Sequence, residues 1–179
     1  MVDIVFFGSL RSVKLLEVVI SKKIIPRDFE KARIINSKLF RVKNENFPYL
    51  IKTKSKKDIV NCVVIKNLND LDFNKIKFYE SVEYTLDEIK VEINNSIQKY
   101  NYFKFIKKNI TNEEWIYEEW QRKFEESNCK AAFLWMKLYD KYKKNPGEAE
   151  KFWPDMQKKV NDELKKRRSK KSLSFFIKI

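Results

Sequence analysis

Gly8 is one of only two glycines in 179 residues, and it directly follows the apolar run Ile4-Val5-Phe6-Phe7. The run reads as a buried strand, with Gly8-Ser9-Leu10 turning the chain into a helical pattern. Gly at such a point permits φ > 0 and lets backbone N–H groups stand bare beside a ligand. Donors between a strand end and a helix N-terminus suit a carboxylate, a phosphate or a developing oxyanion. Taken alone, a plain tight turn is the simpler reading of the same Gly. Proton chemistry is narrowed by an absence, because the chain contains no His. Ser-His-Asp and Cys-His nucleophile systems are excluded, as are His-based metal sites. Any general acid or base near neutral pH must be a tuned carboxylate, Lys, Tyr or Cys.

The elements that would position such groups follow from pattern. Leu10 to Ser21 carries apolar residues at helical spacing, and Ile24-Ile25-Pro26 stops it. Ala32 to Phe40 and Phe47 to Ile51 read as strands around the turn-rich Lys43-Asn44-Glu45-Asn46, with Pro48 marking an edge or a strand start. Ile59 to Ile65 is β-branched and nearly continuous, the signature of a central strand. Asn67 to Lys77 is polar and could hold a short helix. Phe78-Tyr79-Glu80-Ser81-Val82-Glu83-Tyr84 comes next, succeeded by alternation through Ile89, Val91 and Ile93. Asn94-Asn95 predicts a hairpin turn, and Ile97 to Ile106 the returning strand. From about Asn109 the pattern turns helical. Thr111-Asn112-Glu113-Glu114 reads as a helix start, and Pro146-Gly147 and Pro154 punctuate a final helix to about Arg168. The stripe Trp115, Trp120, Trp135, Tyr139 and Trp153 reads as core packing in preference to a base-stacking platform.

Composition bounds the partners. There are 39 Lys and Arg against 25 Asp and Glu, a formal net charge of +14. The excess is mostly Lys, is spread along the chain and concentrates only from Lys158 onward, so a nucleic-acid surface is the less favoured reading. No apolar stretch approaches the ~20 residues of a membrane span. Met1-Val2-Asp3 lacks the basic start of a secretory signal. Cys62 and Cys129 lie far apart in apolar settings, so the expectation is a cytoplasmic protein with reduced, buried thiols and no membrane contact. A homodimer is compatible with the composition.

The order of motifs resembles the gamma-glutamylcyclotransferase-like family over about residues 3–105. Phe6-Phe7-Gly8-Ser9-Leu10-Arg11 resembles the family's Tyr-Gly-Ser/Thr-Leu turn, and Ala32 to Phe40 with Phe47-Pro48-Tyr49-Leu50 its alanine-led strand and aromatic-Pro-x-Leu segment. Phe78-Tyr79-Glu80-Ser81 is similar to its aromatic-Glu-Gly motif, and Tyr84 with the strand through Val91 resembles the Tyr and strand that come after that motif. The chain departs from the pattern at Phe7 (for Tyr), Ser81 (for Gly), Lys77 (for Asp) and near Asn61-Cys62, where a Gly is usual.

The resemblance implies an α+β fold. It consists of a small mixed β-barrel over residues 1–108 and a helical C-terminal extension with a basic tail over 109–179. It also implies an enzyme that cyclises a small γ-glutamyl amine or peptide to 5-oxoproline, with Glu80 as the catalytic acid/base. The Gly8, Ser9 and Leu10 backbone would bind the glutamyl part. Phe7 flanks that turn, Arg11 could steady a carboxylate or form a surface ion pair, and Tyr84 and Tyr102 could line the pocket or fill core. Glu83 is a competing carboxylate at a position where the family motif varies. Taken by itself, a Glu between aromatics such as Glu80 reads more simply as a solvated or salt-bridged surface residue. Intramolecular closure of a five-membered ring needs positioning and one proton shuttle, so no metal, nucleotide or other cofactor is expected. The alternative is a non-catalytic member that binds nucleic acid or an acidic partner through its basic surface and helical tail.

Overall fold

The computed structural model describes residues 1–107 and 109–176, with side chains to 167. Five strands close into a barrel: β1 (Val2–Phe6), β5 (Ile59–Leu68), β2 (Phe29–Ile35), β6 (Tyr84–Ile93) and β7 (Ser96–Phe105), in that spatial order. A second sheet holds β4 (Pro48–Lys52), β3 (Ser37–Val42) and β8 (Ile110–Glu114). The helices are α1 (Val13–Ile20), α2 (Asp70–Glu80), α3 (Tyr117–Met136), the short α4 (Tyr139–Tyr142) and α5 (Trp153–Phe176). Among the described residues no helix is long and apolar enough to cross a membrane.

β5 takes the central place that its composition predicts, pairing antiparallel with β1 on one side and β2 on the other. Closure comes from β1 lying parallel to β7, with Val5 opposite Tyr102. β6 and β7 pair from Tyr84↔Phe105 to Ile93↔Ser96, and Asn94 and Asn95 adopt φ of 49° and 63° in the turn. Two successive left-handed residues match the right-handed twist of the flanking strands. One end of the barrel therefore gathers the end of β1, the start of β6 and the end of β7.

Three local expectations change. Ala32 to Phe40 is not one strand, because Asn36 takes φ 55° and breaks it into β2 and β3. Asn reaches this left-handed state at modest cost. Thr111 to Glu114 is not a helix start but lies in β8, paired to β3 through Phe40↔Glu114 and Val42↔Ile110. Thr111 Oγ1 donates to Arg41 O and accepts from Glu113 N–H, so the expected cap chemistry operates on a sheet edge. The helix begins at Tyr117, with Glu118 and Glu119 in its first turn. The short helix expected over Asn67 to Lys77 runs three residues further, so that Phe78-Tyr79-Glu80 completes α2, which starts at the Asn69 cap accepting from Asp72 N–H at 2.8 Å.

The core does not stop at residue 108. Barrel residues Ile4, Ile34 and Val64 and the α1 residues Leu16 and Val19 share one buried cluster with Trp115, Trp120, Cys129 and Ala132. A second cluster locks α2 to the later helices, with Phe78 stacked on Trp135 at 5.3 Å between ring centroids. Trp135 Nε1 also donates to Phe78 O at 3.3 Å. Trp115, Trp120, Trp135 and Tyr139 are buried, so that part of the aromatic stripe is core. Both thiols are free and buried, and burial pushes Cys62 up to about 12 and Cys129 to about 11. Neither is a thiolate near neutral pH. Part of the basic tail, residues 168–179, lies outside the described side chains.

Seven residues in the described structure have positive φ: Ser21, Asn36, Asn44, Asn67, Ser81, Asn94 and Asn95. None is Gly. Gly8 itself sits at φ −94°, ψ −144°, so the expectation that it supplies a left-handed turn is corrected. Its lack of a side chain matters instead, because a Cβ there would meet Pro48 Cδ and Cγ at 3.2 Å.

Candidate active site

β1 ends abruptly at Phe6, and Ser9–Arg11 forms a single 3-10 turn in which Arg11 N–H donates to Gly8 O at 3.0 Å. The N–H groups of Ser9 and Leu10 head this turn and find no acceptor within it. One 3-10 turn places every third residue on the same side. Leu10 is buried in the core, and Arg11 emerges on another face. There the Arg11 guanidinium lies 3.9 Å over the Tyr117 ring, donates to Asn61 O at 3.3 Å and faces Glu118 at 3.8 Å. Arg11 is thus not brought to the site that the other residues form.

Those others converge. Phe7, Gly8, Ser9, Leu10, Glu80, Tyr84 and Tyr102 line one cavity at the gathered end of the barrel, with about 70 Å³ of room for water centres. That is enough for several waters. Pairing register accounts for the convergence, since Val5↔Tyr102 and Tyr84↔Phe105 set both tyrosines beside the end of β1. Rings enclose the space. Phe7 and Tyr102 lie 5.8 Å apart between centroids, Tyr84 and Phe105 5.2 Å, and Phe47 and Phe105 5.1 Å. Phe47, Pro48, Tyr49 and Leu50 form a wall from the second sheet. They are legible in sequence as a motif but not as lining; Pro48 packed on Gly8 is what brings them in.

Glu80 is the last residue of α2, and no ion pair or hydrogen bond holds its carboxyl group among the described residues. Burial pushes its pKa up to about 8. Its place at the negative end of the helix dipole acts in the same direction. Glu83, the competing carboxylate, is paired instead with Lys107. Burial raises the Tyr84 hydroxyl well above the ordinary tyrosine range, and the charge of Glu80 adds to it. Tyr102 is also raised by burial. At neutral pH the cavity therefore holds the Tyr84 and Tyr102 hydroxyls as O–H donors beside a carboxyl group that can gain or lose a proton.

Ser81, immediately after Glu80, takes φ 61°, ψ −164°. That region is close to Gly-only, and the departure from Gly noted in the sequence falls on it.

A family model described as "Gamma-glutamyl cyclotransferase, AIG2-like" matches residues 4–122. No curated protein matches the sequence significantly. Two solution structures from Arabidopsis thaliana share the fold. One is 19% identical over 82% of this chain and 86% of its own, with a TM-score of 0.52. The other is 16% identical over 69% and 83%, with a TM-score of 0.51. A solved gamma-glutamyl cyclotransferase aligns over 86% of this chain and 98% of its own at 13% identity, with a TM-score of 0.48.

Proposed function

The chain belongs to the AIG2-like gamma-glutamyl cyclotransferase family, and from that premise we propose that it converts a γ-glutamyl amine or peptide to 5-oxoproline and a free amine. One observation carries the reading: an unpartnered carboxyl group near pKa 8 shares a cavity with the Gly8-Ser9-Leu10 turn.

The chemistry is set by those groups. The glutamyl α-carboxylate accepts from the N–H groups at the head of the turn. The α-amine, held near Glu80, gives up a proton and attacks the δ-carbonyl carbon, forming the ring C–N bond. Glu80 passes that proton to the departing nitrogen as the tetrahedral intermediate collapses by breaking the original amide C–N bond; it then takes the extra proton from the ring nitrogen and hands it to the released amine, which leaves as its ammonium. One carboxyl group thus serves both steps and ends unchanged. Its raised pKa decides the energetics. An ammonium near pKa 8 would lose about 5 kcal/mol in passing its proton to an ordinary carboxylate at about 4.3, whereas a partner near 8 makes the transfer almost neutral. Phe7 brings no hydroxyl to the pocket, while Tyr84 and Tyr102 bring two that can orient the carbonyl or the carboxylate.

The test is 5-oxoproline release over a panel of γ-glutamyl amino acids, peptides and amines, with Glu80→Gln in parallel. The expected result is turnover of at least one substrate and a loss of roughly 10²–10⁴-fold in the variant with its fold intact. Full activity in Glu80→Gln would remove the assigned base.

A further inference from the structure

Glu80 also lines a neighbouring cavity of about 300 Å³, between the end of α2 and the helical extension. Its far wall includes Asn128 and Trp135 of α3 and Trp153 of α5. All three lie beyond residue 122, where the family match ends.

The face of α3 explains why Asn128 meets this space. Asn128 stands seven residues before Trp135, two helical turns, so the two share one side of the helix. Trp135 stacks on Phe78 and donates to its carbonyl oxygen, which holds that side against α2. Burial, then the Glu80 carboxylate and the Cys129 thiol, keep the Tyr79 hydroxyl above its ordinary range. The residue next to Asn128 is therefore within electrostatic reach of the end of α2.

Two polar groups of the cavity each lack what the other has. Asn128 Nδ2 is a buried donor with no acceptor among the described residues. The desolvated Glu80 carboxyl group is an acceptor with no donor among them. Two other donors here are committed, Trp135 Nε1 to Phe78 O and Ser81 Oγ to Glu150. The charged neighbours give Glu80 no relief. Glu45, Glu83 and Glu150 line the cavity as carboxylates, and Lys107 is paired with Glu83. On the side of the first cavity Lys104 is held by Asp87 at 2.7 Å, beside the Tyr84 and Tyr102 hydroxyls.

We propose that Asn128 is the positioning residue for Glu80, its side-chain N–H donating to the ionised carboxylate directly or through one water. The catalytic consequence rests on the cyclotransferase reading; the contact itself does not. A carboxylate offers about four lone-pair sites, so one oxygen can accept from Asn128 while the other faces the Gly8 turn. A neutral donor suits a proton shuttle. It favours the ionised form enough for a desolvated carboxyl group to lose its proton near neutral pH. A cation at the same place would hold the proton off altogether and end the return step.

The test is the titration of the Glu80 carboxyl carbon by ¹³C NMR, assigned by its loss in Glu80→Gln, in the parent and three variants. Asn128→Leu removes the donor and is expected to raise the midpoint by about one to two pH units, the worth of one hydrogen bond to a charged group. Asn128→Asp has the shape of the parent residue, sets a second carboxylate there and should raise it at least as far. Asn128→Gln keeps the donor and should stay near the parent. The acid limb of kcat/KM for 5-oxoproline release is expected to move with the NMR midpoint, which lost packing alone would not do. A midpoint unmoved in the leucine and aspartate variants overturns the pairing, and a rise in KM without that shift would assign Asn128 to the substrate. A shifted midpoint with no 5-oxoproline from any γ-glutamyl compound upholds the pairing and overturns the cyclotransferase reading.

Discussion

Ser81 Oγ donates a 2.5 Å hydrogen bond to Glu150 Oε1, tying the residue after Glu80 to the turn that precedes α5. Ser81 needs the tie because its φ of 61° and ψ of −164° cost a residue with a side chain about 1–3 kcal/mol. Ser81→Gly relieves the strain and loses the bond; Ser81→Ala loses the bond and keeps the strain. The glycine variant is therefore expected to be the more stable of the two by about 1–3 kcal/mol in denaturant melts. Equal stability, or the reverse order, would show that the backbone there is not strained.

The pH profile should report the tuned carboxyl group. Productive complexes carry one proton between Glu80 and the substrate α-amine, and both groups titrate near 8. kcat/KM should therefore peak near pH 8 and fall about tenfold per unit well below it. An acid limb with its midpoint near 4 to 5, the ordinary carboxylate range, would contradict the burial argument.

Stability should move the other way. The folded pKa of Glu80 is raised to about 8 from an ordinary value of 4.5, so the folded state holds a proton that the unfolded chain has lost. That contribution is fully present below about pH 4.5 and is lost as pH rises through about 8. Glu80→Gln, which never ionises, should have a higher Tm than the parent at pH 9, with the two converging towards pH 5. Parallel Tm curves across that range would show that Glu80 ionises freely in the fold.

Gly8→Ala tests the steric role of the turn. The new Cβ would sit 3.2 Å from Pro48 Cδ and Cγ, tighter than ordinary packing. Pro48 must retreat, and it lines the cavity. Overpacking of this kind costs about 1–3 kcal/mol, and the shifted wall should raise KM more than it lowers kcat. Unchanged stability and KM would mean that the second sheet yields freely at this contact.

Much of this architecture is legible locally. β1, β5, the β6–β7 hairpin and the Asn94-Asn95 turn carry their own signals of β-branching, alternation and turn chemistry. β8 is not legible, because Thr111 to Glu114 has the residues of a helix start and only the edge of β3 captures it as a strand. For Glu80, the motif points to the residue, while its desolvation depends on burial at the end of α2. Arg11 shows the converse. Its neighbour Leu10 lines the cavity, yet one turn of 3-10 geometry sends Arg11 to Tyr117 and Glu118. The neighbouring cavity that Glu80 shares with Glu45 and Trp153 cannot be read from sequence at all, since its walls come from segments more than a hundred residues apart in the chain.

The positive-φ residues of the described structure are all Asn or Ser, and neither glycine has positive φ. The fold thus separates two properties that glycine usually offers together. Conformational licence at turns falls to Asn, which can substitute for it. The absence of a side chain cannot be delegated, and Gly8 stands where Pro48 leaves no room for one. At Gly8, one of the chain's two glycines, the residue thus marks a steric requirement, and that requirement sits on the wall of the cavity that Glu80 lines.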